Sequence, residues 1–258
     1  MVPGEQAVDR PALVSILLGL RDEILREPVS WSFFASEASR HQLTSNPFAL
    51  LLASILEHGQ TTARAAKVLL TLEKNLGELT VEKLDSLSRE EIISAYSAYK
   101  PRYPKKMAQW FKKACHIIKR SYGGSVEGIW SDSPSAAVLQ KRFEAFPGIG
   151  QKKASMLVNM ITAFHLFGVR VERLDESEIS VDRLVRRVML RTGLADKDTP
   201  EELIQTAGEL YPEEPGAIDS SMWVVGKKWC HLRHPACLSC RLGQICARRT
   251  QLSESDSF

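Results

Sequence analysis

The 258-residue chain contains no apolar run near the roughly 20 residues that a bilayer span requires, and its opening, MVPGEQAVDRPALV, has neither the basic start nor the apolar core of a signal peptide. These absences point to a cytoplasmic protein, nucleoid-associated if the source is prokaryotic, with no membrane partner. Period-2 alternation is missing too, except in VRVERL (Val169 to Leu174), so an extensive sheet is excluded. No internal repeat or low-complexity tract interrupts the chain, and only its ends, such as the tail SESDSF, are expected to be disordered. Cysteine is scarce along most of the length: of five, only Cys115 precedes Cys230, which leaves no disulfide framework. At this length none is needed, since one large or two moderate domains can each bury a core.

What is present is 44% hydrophobic and 25% charged, the balance of an ordinary globular protein. The net charge of +3 conceals an asymmetry. Eight basic residues and no acid fall between Lys100 and Arg120, and six more, again without an acid, between Lys227 and Arg249. Removing those fourteen from +3 leaves the remainder at about −11, so positive charge is concentrated, as suits a polyanion whose counterions are released on binding.

Nearly every segment reads as helix. PFALLLASIL (Pro47 to Leu56) is apolar all round, with Asn46 as N-cap and Pro47 at the first helical position, and is expected to be a buried central helix. SREE (Ser88 to Glu91) is a capping box. Met107, Trp110, Phe111, Ala114, Ile117 and Ile118 form an apolar stripe that leaves Lys106, Lys112, Lys113 and Lys119 outward and Cys115 as an inert thiol. Ser133 and Pro134 open another helix, and Ala154 to Phe167 continues a further one.

Two motifs carry chemistry. In FPGIGQKKA (Phe146 to Ala154), Pro147 ends one helix and Gly148 and Gly150 permit a tight turn. The N–H groups of the next helix then face outward as an anion site for a DNA phosphate, beside Lys152 and Lys153. The second motif is the spacing C-x6-C-x2-C-x5-C of Cys230, Cys237, Cys240 and Cys246, enough thiolates for an iron–sulfur cubane or a tetrahedral zinc. The spacing alone does not choose between the metals.

From Asn46 to Cys246 these elements, in this order, resemble the endonuclease III-like branch of the helix-hairpin-helix (HhH-GPD) DNA glycosylases: the NPF opening, the glycine hairpin followed by lysine, the segment SVDRLVRRV and the four-cysteine loop. The resemblance implies base excision repair, in which a damaged base is flipped out, its N-glycosidic bond cleaved and the strand often cut. It places Lys152 at the catalytic lysine, whose free amine attacks the sugar C1′ to give a Schiff base that undergoes β-elimination, and Asp182 at the catalytic aspartate, which stabilises the oxocarbenium-like sugar. Gln60 matches the family's wedge glutamine, Arg102 or Tyr103 the second wedge, and Glu57 and His58 lie near the same helix end. Gly148, Gly150 and Lys153 are the remaining DNA-contacting positions. The four cysteines would ligate a 4Fe-4S cluster, structural rather than catalytic.

The implied fold is all-α, with two helical domains and the active cleft between them. A six-helix barrel with the hairpin spans 44–168, while 1–43 and 169–258 form the domain carrying the cluster loop 230–246. The expected activity is that of a DNA glycosylase with AP lyase activity on damaged pyrimidines. The protein would act as a monomer on double-stranded DNA holding a damaged base or abasic site. The alternatives are a monofunctional glycosylase for alkylated or mismatched bases and a non-catalytic DNA-binding protein. Departures from the family pattern are the long insertion 165–180, which leaves Asp175 as a competitor for the aspartate, Arg183-Leu184 in place of Thr-His, and Thr62-Ala63 in place of Thr-Asp.

Overall fold

Asn46 decides where the central helix begins. Its side-chain oxygen accepts from the N–H of Ala49 at 2.9 Å, its amide donates to the carbonyl of Leu79 at 3.0 Å, and Pro47 follows at the first helical position. Every residue from Phe48 to Leu56 is buried, as a helix apolar on all sides must be. The computed structural model describes residues 8–96 and 99–247. Arg248 and Arg249 of the second basic stretch, the N-terminal residues 1–7 and the SESDSF tail lie outside the described residues.

In chain order the helices are α1 (Arg10–Arg26), α2 (Glu37–Ser45), α3 (Pro47–Leu56), α4 (Thr62–Leu76), α5 (Val81–Ser86), α6 (Arg89–Ala95), α7 (Pro104–Ser121), α8 (Ala136–Glu144), α9 (Gln151–Ala163), α10 (Arg183–Thr192), α11 (Pro200–Leu210) and α12 (Asp219–Lys228). The described residues contain no strand. The alternating segment VRVERL yields one isolated parallel bridge between Ser135 and Glu172. No described helix is long and apolar enough to cross a membrane.

The chain divides into two compact units, Pro28–Glu172 and the pair Met1–Glu27 with Arg173–Phe258. The first boundary therefore falls well before residue 44, because α2 must bury Leu43, and Gln42 on the same helix donates to Glu73 of α4 at 2.8 Å. Phe33 and Phe34 add to this by packing on Phe164, with ring centroids 5.5 and 5.6 Å apart.

Within Pro28–Glu172, α2, α4 and α7 pack around α3. The capping box at α6 forms as its residues require: Ser88 Oγ accepts from the N–H of Glu91 at 3.1 Å, and the Glu91 carboxylate from the N–H of Ser88 at 2.7 Å. Along α7, Met107, Phe111, Ala114 and Ile118 are buried with Cys115, whose thiol is pushed up to about 12, chiefly by burial. On α7, Lys119 pairs with Asp85 at 2.7 Å, and Lys112 donates to the carbonyls of Asp85 and Leu87, so both are engaged within the unit. Helix α8 begins after Ser135, not at Ser133. Ser133 takes a positive φ of 52°, the carbonyl of Pro134 accepts from the N–H of Glu172 at 2.9 Å, and Ser135, paired with Glu172 in the bridge, caps the helix.

In the other unit, Asp9 caps α1, which buries Leu13, Leu17, Leu20 and Ile24. Ser221 of α12 donates to the carbonyl of Leu17 at 2.6 Å. Helices α10 and α12 approach so closely that a Cβ on Gly226 would stand 2.7 Å from the Cβ of Leu184.

Candidate active site

The hairpin between α8 and α9 requires glycine at Gly148, while Gly150 marks where the next helix begins. Gly148 has φ +78°, and a Cβ there would stand 2.2 Å from Cζ3 of Trp110. Trp110, assigned by periodicity to the core stripe, is thus half-buried, with its ring against the turn. Gly150 is the N-cap of α9, and a Cβ on it would meet nothing within 4 Å; no side chain caps that helix. The start of α9 is therefore open to whatever approaches from outside, and its dipole favours an anion.

Lys152 and Lys153 occupy the first turn of α9 and go opposite ways. The Lys152 side chain is exposed. Lys153 turns inward, its Nζ donating to the carbonyl of Ser54 at 2.7 Å and to that of Gly148 at 3.0 Å. Burial lowers its pKa to about 8, against the pull of Glu57 and with the help of Lys152. Glu57, the C-cap of α3, is itself raised by burial, opposed by a hydrogen bond from Thr62 and by the two lysines. The Lys153 amine ties the end of α3 to the hairpin. Sequence reasoning missed this because both ends of the tie are backbone carbonyls, one of them 99 residues away.

The two loops expected to act as wedges are locked together. Gln60 donates to the carbonyl of Leu56 at 2.6 Å and accepts from the N–H of Arg102 at 2.9 Å, while the Arg102 guanidinium donates to the carbonyl of Gly59 at 2.9 Å. Tyr103 is 40% exposed and its ring lies under the Arg102 guanidinium, 5.3 Å from the centroid. His58 stands edge-on to Trp110 at 4.8 Å, with Lys106 Nζ 3.1 Å from its Nε2. An ammonium can only donate, so Nε2 is the acceptor and the ring neutral; burial first, and then Lys106, lower its pKa. Beside the two loops lies a cleft of about 630 Å³ lined by Gln60, Arg64, Lys67, Tyr99 and Arg102. There Arg64 and Lys67 both sit over the Tyr99 ring, at 5.7 and 5.6 Å.

In the other unit, Asp182 is the N-cap of α10, its Oδ1 accepting from the N–H groups of Leu184 at 2.8 Å and Val185 at 2.9 Å. Asp175, the competing carboxylate, is paired with Arg173 at 2.9 Å, which lowers its pKa.

No family model matches the chain. It is 28% identical over 211 residues to endonuclease III of Escherichia coli K12, covering 78% of this chain and 84% of that protein. It is 25% identical over 136 residues to endonuclease III of Buchnera aphidicola subsp. Baizongia pistaciae, covering 52% and 53%. Among solved structures it superposes on a trapped covalent intermediate of endonuclease III with DNA at a TM-score of 0.65, with 22% identity over 95% of this chain and 97% of that one. On a thermostable thymine-DNA glycosylase the TM-score is 0.64, with 18% identity over 92% and 94%. In sequence the chain is thus similar to endonuclease III, and it shares the fold of these solved structures.

The arginines of α10 are taken up largely within their own unit. Of the basic residues on α10, Arg186 pairs with Asp198 at 2.6 Å and Arg187 donates to the carbonyls of Cys230 and Gly226. Arg191, only 3% exposed, donates to the carbonyls of His231 and Leu232. Arg187 and Arg191 hold the start of the cysteine loop. Within that loop a Cβ on Gly243 would stand 2.3 Å from the carbonyl oxygen of Cys237. The Cys240 thiol is raised by burial, opposed by a backbone hydrogen bond at Leu242, and Cys230, Cys246 and Cys237 each raise it further. Among the described residues, no three or more His, Cys, Asp or Glu side chains stand close enough to hold a metal ion as placed. As a donor set, four soft thiols on one loop, with glycine where backbone crowds backbone, fit an iron–sulfur cluster.

Proposed function

We propose that the chain is a base excision repair enzyme, a DNA glycosylase with AP lyase activity, acting on double-stranded DNA with an oxidised or otherwise damaged pyrimidine or an abasic site. The observation that carries this reading is the glycine hairpin that leaves the start of α9 open and the Lys152 side chain exposed on its first turn. DNA would dock a phosphate at the N-terminus of α9, near Gly150. Lys152 attacks C1′ of the damaged nucleotide as a free amine. The C1′–base bond breaks, the base leaves with a proton, and the resulting Schiff base loses its 3′ phosphate by β-elimination. Asp182 bears the negative charge that offsets the developing positive charge on the sugar. Tyr103 and Arg102 would enter the gap left by the extruded base, with Gln60 holding their loop.

Cys230, Cys237, Cys240 and Cys246 would hold a 4Fe-4S cluster, which when bound would cross-link the loop and fix its shape. Arg187 and Arg191 brace that loop from α10 without taking part in the reaction.

Borohydride trapping tests the assignment. A covalent complex with lesion or abasic duplex is expected from the native protein and is lost in Lys152→Ala. No complex, or one undiminished in Lys152→Ala, overturns it.

A further inference from the structure

Asp182 follows an extended segment without regular hydrogen bonding of its own, so its direction depends on what restrains that segment. Two ties do so. At one end Ser177 Oγ accepts from the N–H of Gly216 at 2.9 Å. At the other, the carboxylate of Asp219, 6% exposed, accepts from the Ser180 N–H at 3.0 Å and from the Ser180 hydroxyl at 2.5 Å. The carbonyl of Ser180 then accepts from the N–H of Asp182 at 2.7 Å, closing a three-residue turn.

Asp219 sits in the first turn of α12, where the helix dipole favours its charge. That helix is in turn fixed against α10 by the Gly226–Leu184 contact and against α1 by Ser221. A buried carboxylate taking two hydrogen bonds from one residue is a rigid link, because losing either leaves an unsatisfied charge.

We infer that Asp219 is a positioning residue for Asp182: through Ser180 it sets where the Asp182 carboxylate stands and how it meets the sugar. This rests on the glycosylase reading. It does not make Asp219 a catalytic residue, since it reaches the reaction only through Ser180.

The test is a double-mutant cycle on the full protein. Displacement of a catalytic group by about 1 Å can cost on the order of 100-fold in rate. Asp219→Ala is therefore expected to lower kcat for base release by about 10- to 100-fold with KM within about 2-fold, and Asp219→Asn, which keeps one acceptor, by less. In an Asp182→Asn background, where nothing remains to be aimed, Asp219→Ala should cost less than about 2-fold. Ser180→Ala, which removes a single bond and so spares folding, should reproduce part of the loss. A second readout needs no turnover: amide exchange at Leu184 and Val185, whose N–H groups Asp182 accepts, should speed up in Asp219→Ala and Ser180→Ala while the core of α1 stays protected. Equal losses in both backgrounds, a loss confined to KM, or unchanged exchange at those two amides would overturn the inference. A native protein that releases no base would count against the glycosylase reading, and the exchange measurement would still decide the link.

Discussion

Trp110 occupies the space that a side chain on Gly148 would need. Its Cζ3 is 2.2 Å from where that Cβ would lie, so the turn that opens α9 is moulded on an aromatic ring from α7.

Gly148→Ala should therefore be costly in two ways. The positive φ costs an L-residue roughly 1–2 kcal/mol, and the forced shift of the Trp110 ring about 1–3 kcal/mol more. Thermal or urea unfolding should show a loss of about 2–5 kcal/mol. Trp110→Ala in the same background should restore part of it, since the ring is the obstacle. Full stability in Gly148→Ala alone would show that the turn is not so confined.

The two hairpin lysines should separate in their salt dependence. An amine that neutralises a phosphate contributes about 0.9 to the slope of log K against log salt. On undamaged duplex, where Lys152 has no C1′ to attack and its exposed ammonium meets only backbone, Lys152→Ala should reduce that slope by about this amount, and Lys153→Met should leave it unchanged, because the Lys153 amine is taken up by Ser54 and Gly148. Duplex titrations at several salt concentrations measure both; equal reductions would place both amines on DNA.

Lys153 also sets a pH signature. Its folded pKa of about 8 lies below the ordinary 10.5, so between those values the unfolded chain binds more protons than the folded one. Its contribution must make stability rise with pH across that window. The Tm of the native protein relative to Lys153→Met should increase from pH 7 to pH 10. A difference that stays constant over this range would mean that the amine is solvated.

The cysteine loop should carry iron. Protein prepared without oxygen from iron-replete cells is expected to be brown, with about four irons per chain. Cys240→Ser should lose colour and iron, with weaker duplex binding as the basic loop loosens. Stoichiometric zinc in the native preparation would contradict this.

What was legible in the sequence was what neighbouring residues decide. Asn46-Pro47 and the Ser88–Glu91 box act over three or four residues and form as read. The all-apolar α3 had to be central. The hairpin, too, was recognisable, since its glycines serve backbone geometry within a few positions. The Ser133-Pro134 start failed because a long-range bridge to Glu172 competes with the helix, and the bridging partner is not visible locally. Trp110 fell on the apolar stripe of α7, yet its ring is claimed by Gly148, 38 positions away in the chain. Lys153 and Asp219 are further cases: each is defined by partners distant in sequence, backbone carbonyls for one and Ser180 for the other.

Cys115 gives the molecule an internal counter. Its thiol, fully enclosed and held near 12, will ignore alkylating reagents that take the loop thiols of metal-free protein at neutral pH. Mass spectrometry of the labelled chain would then separate two events that colour and heat capacity blend. Up to four adducts report an emptied loop on an intact fold, whereas a fifth appears only when the helices around α7 come apart.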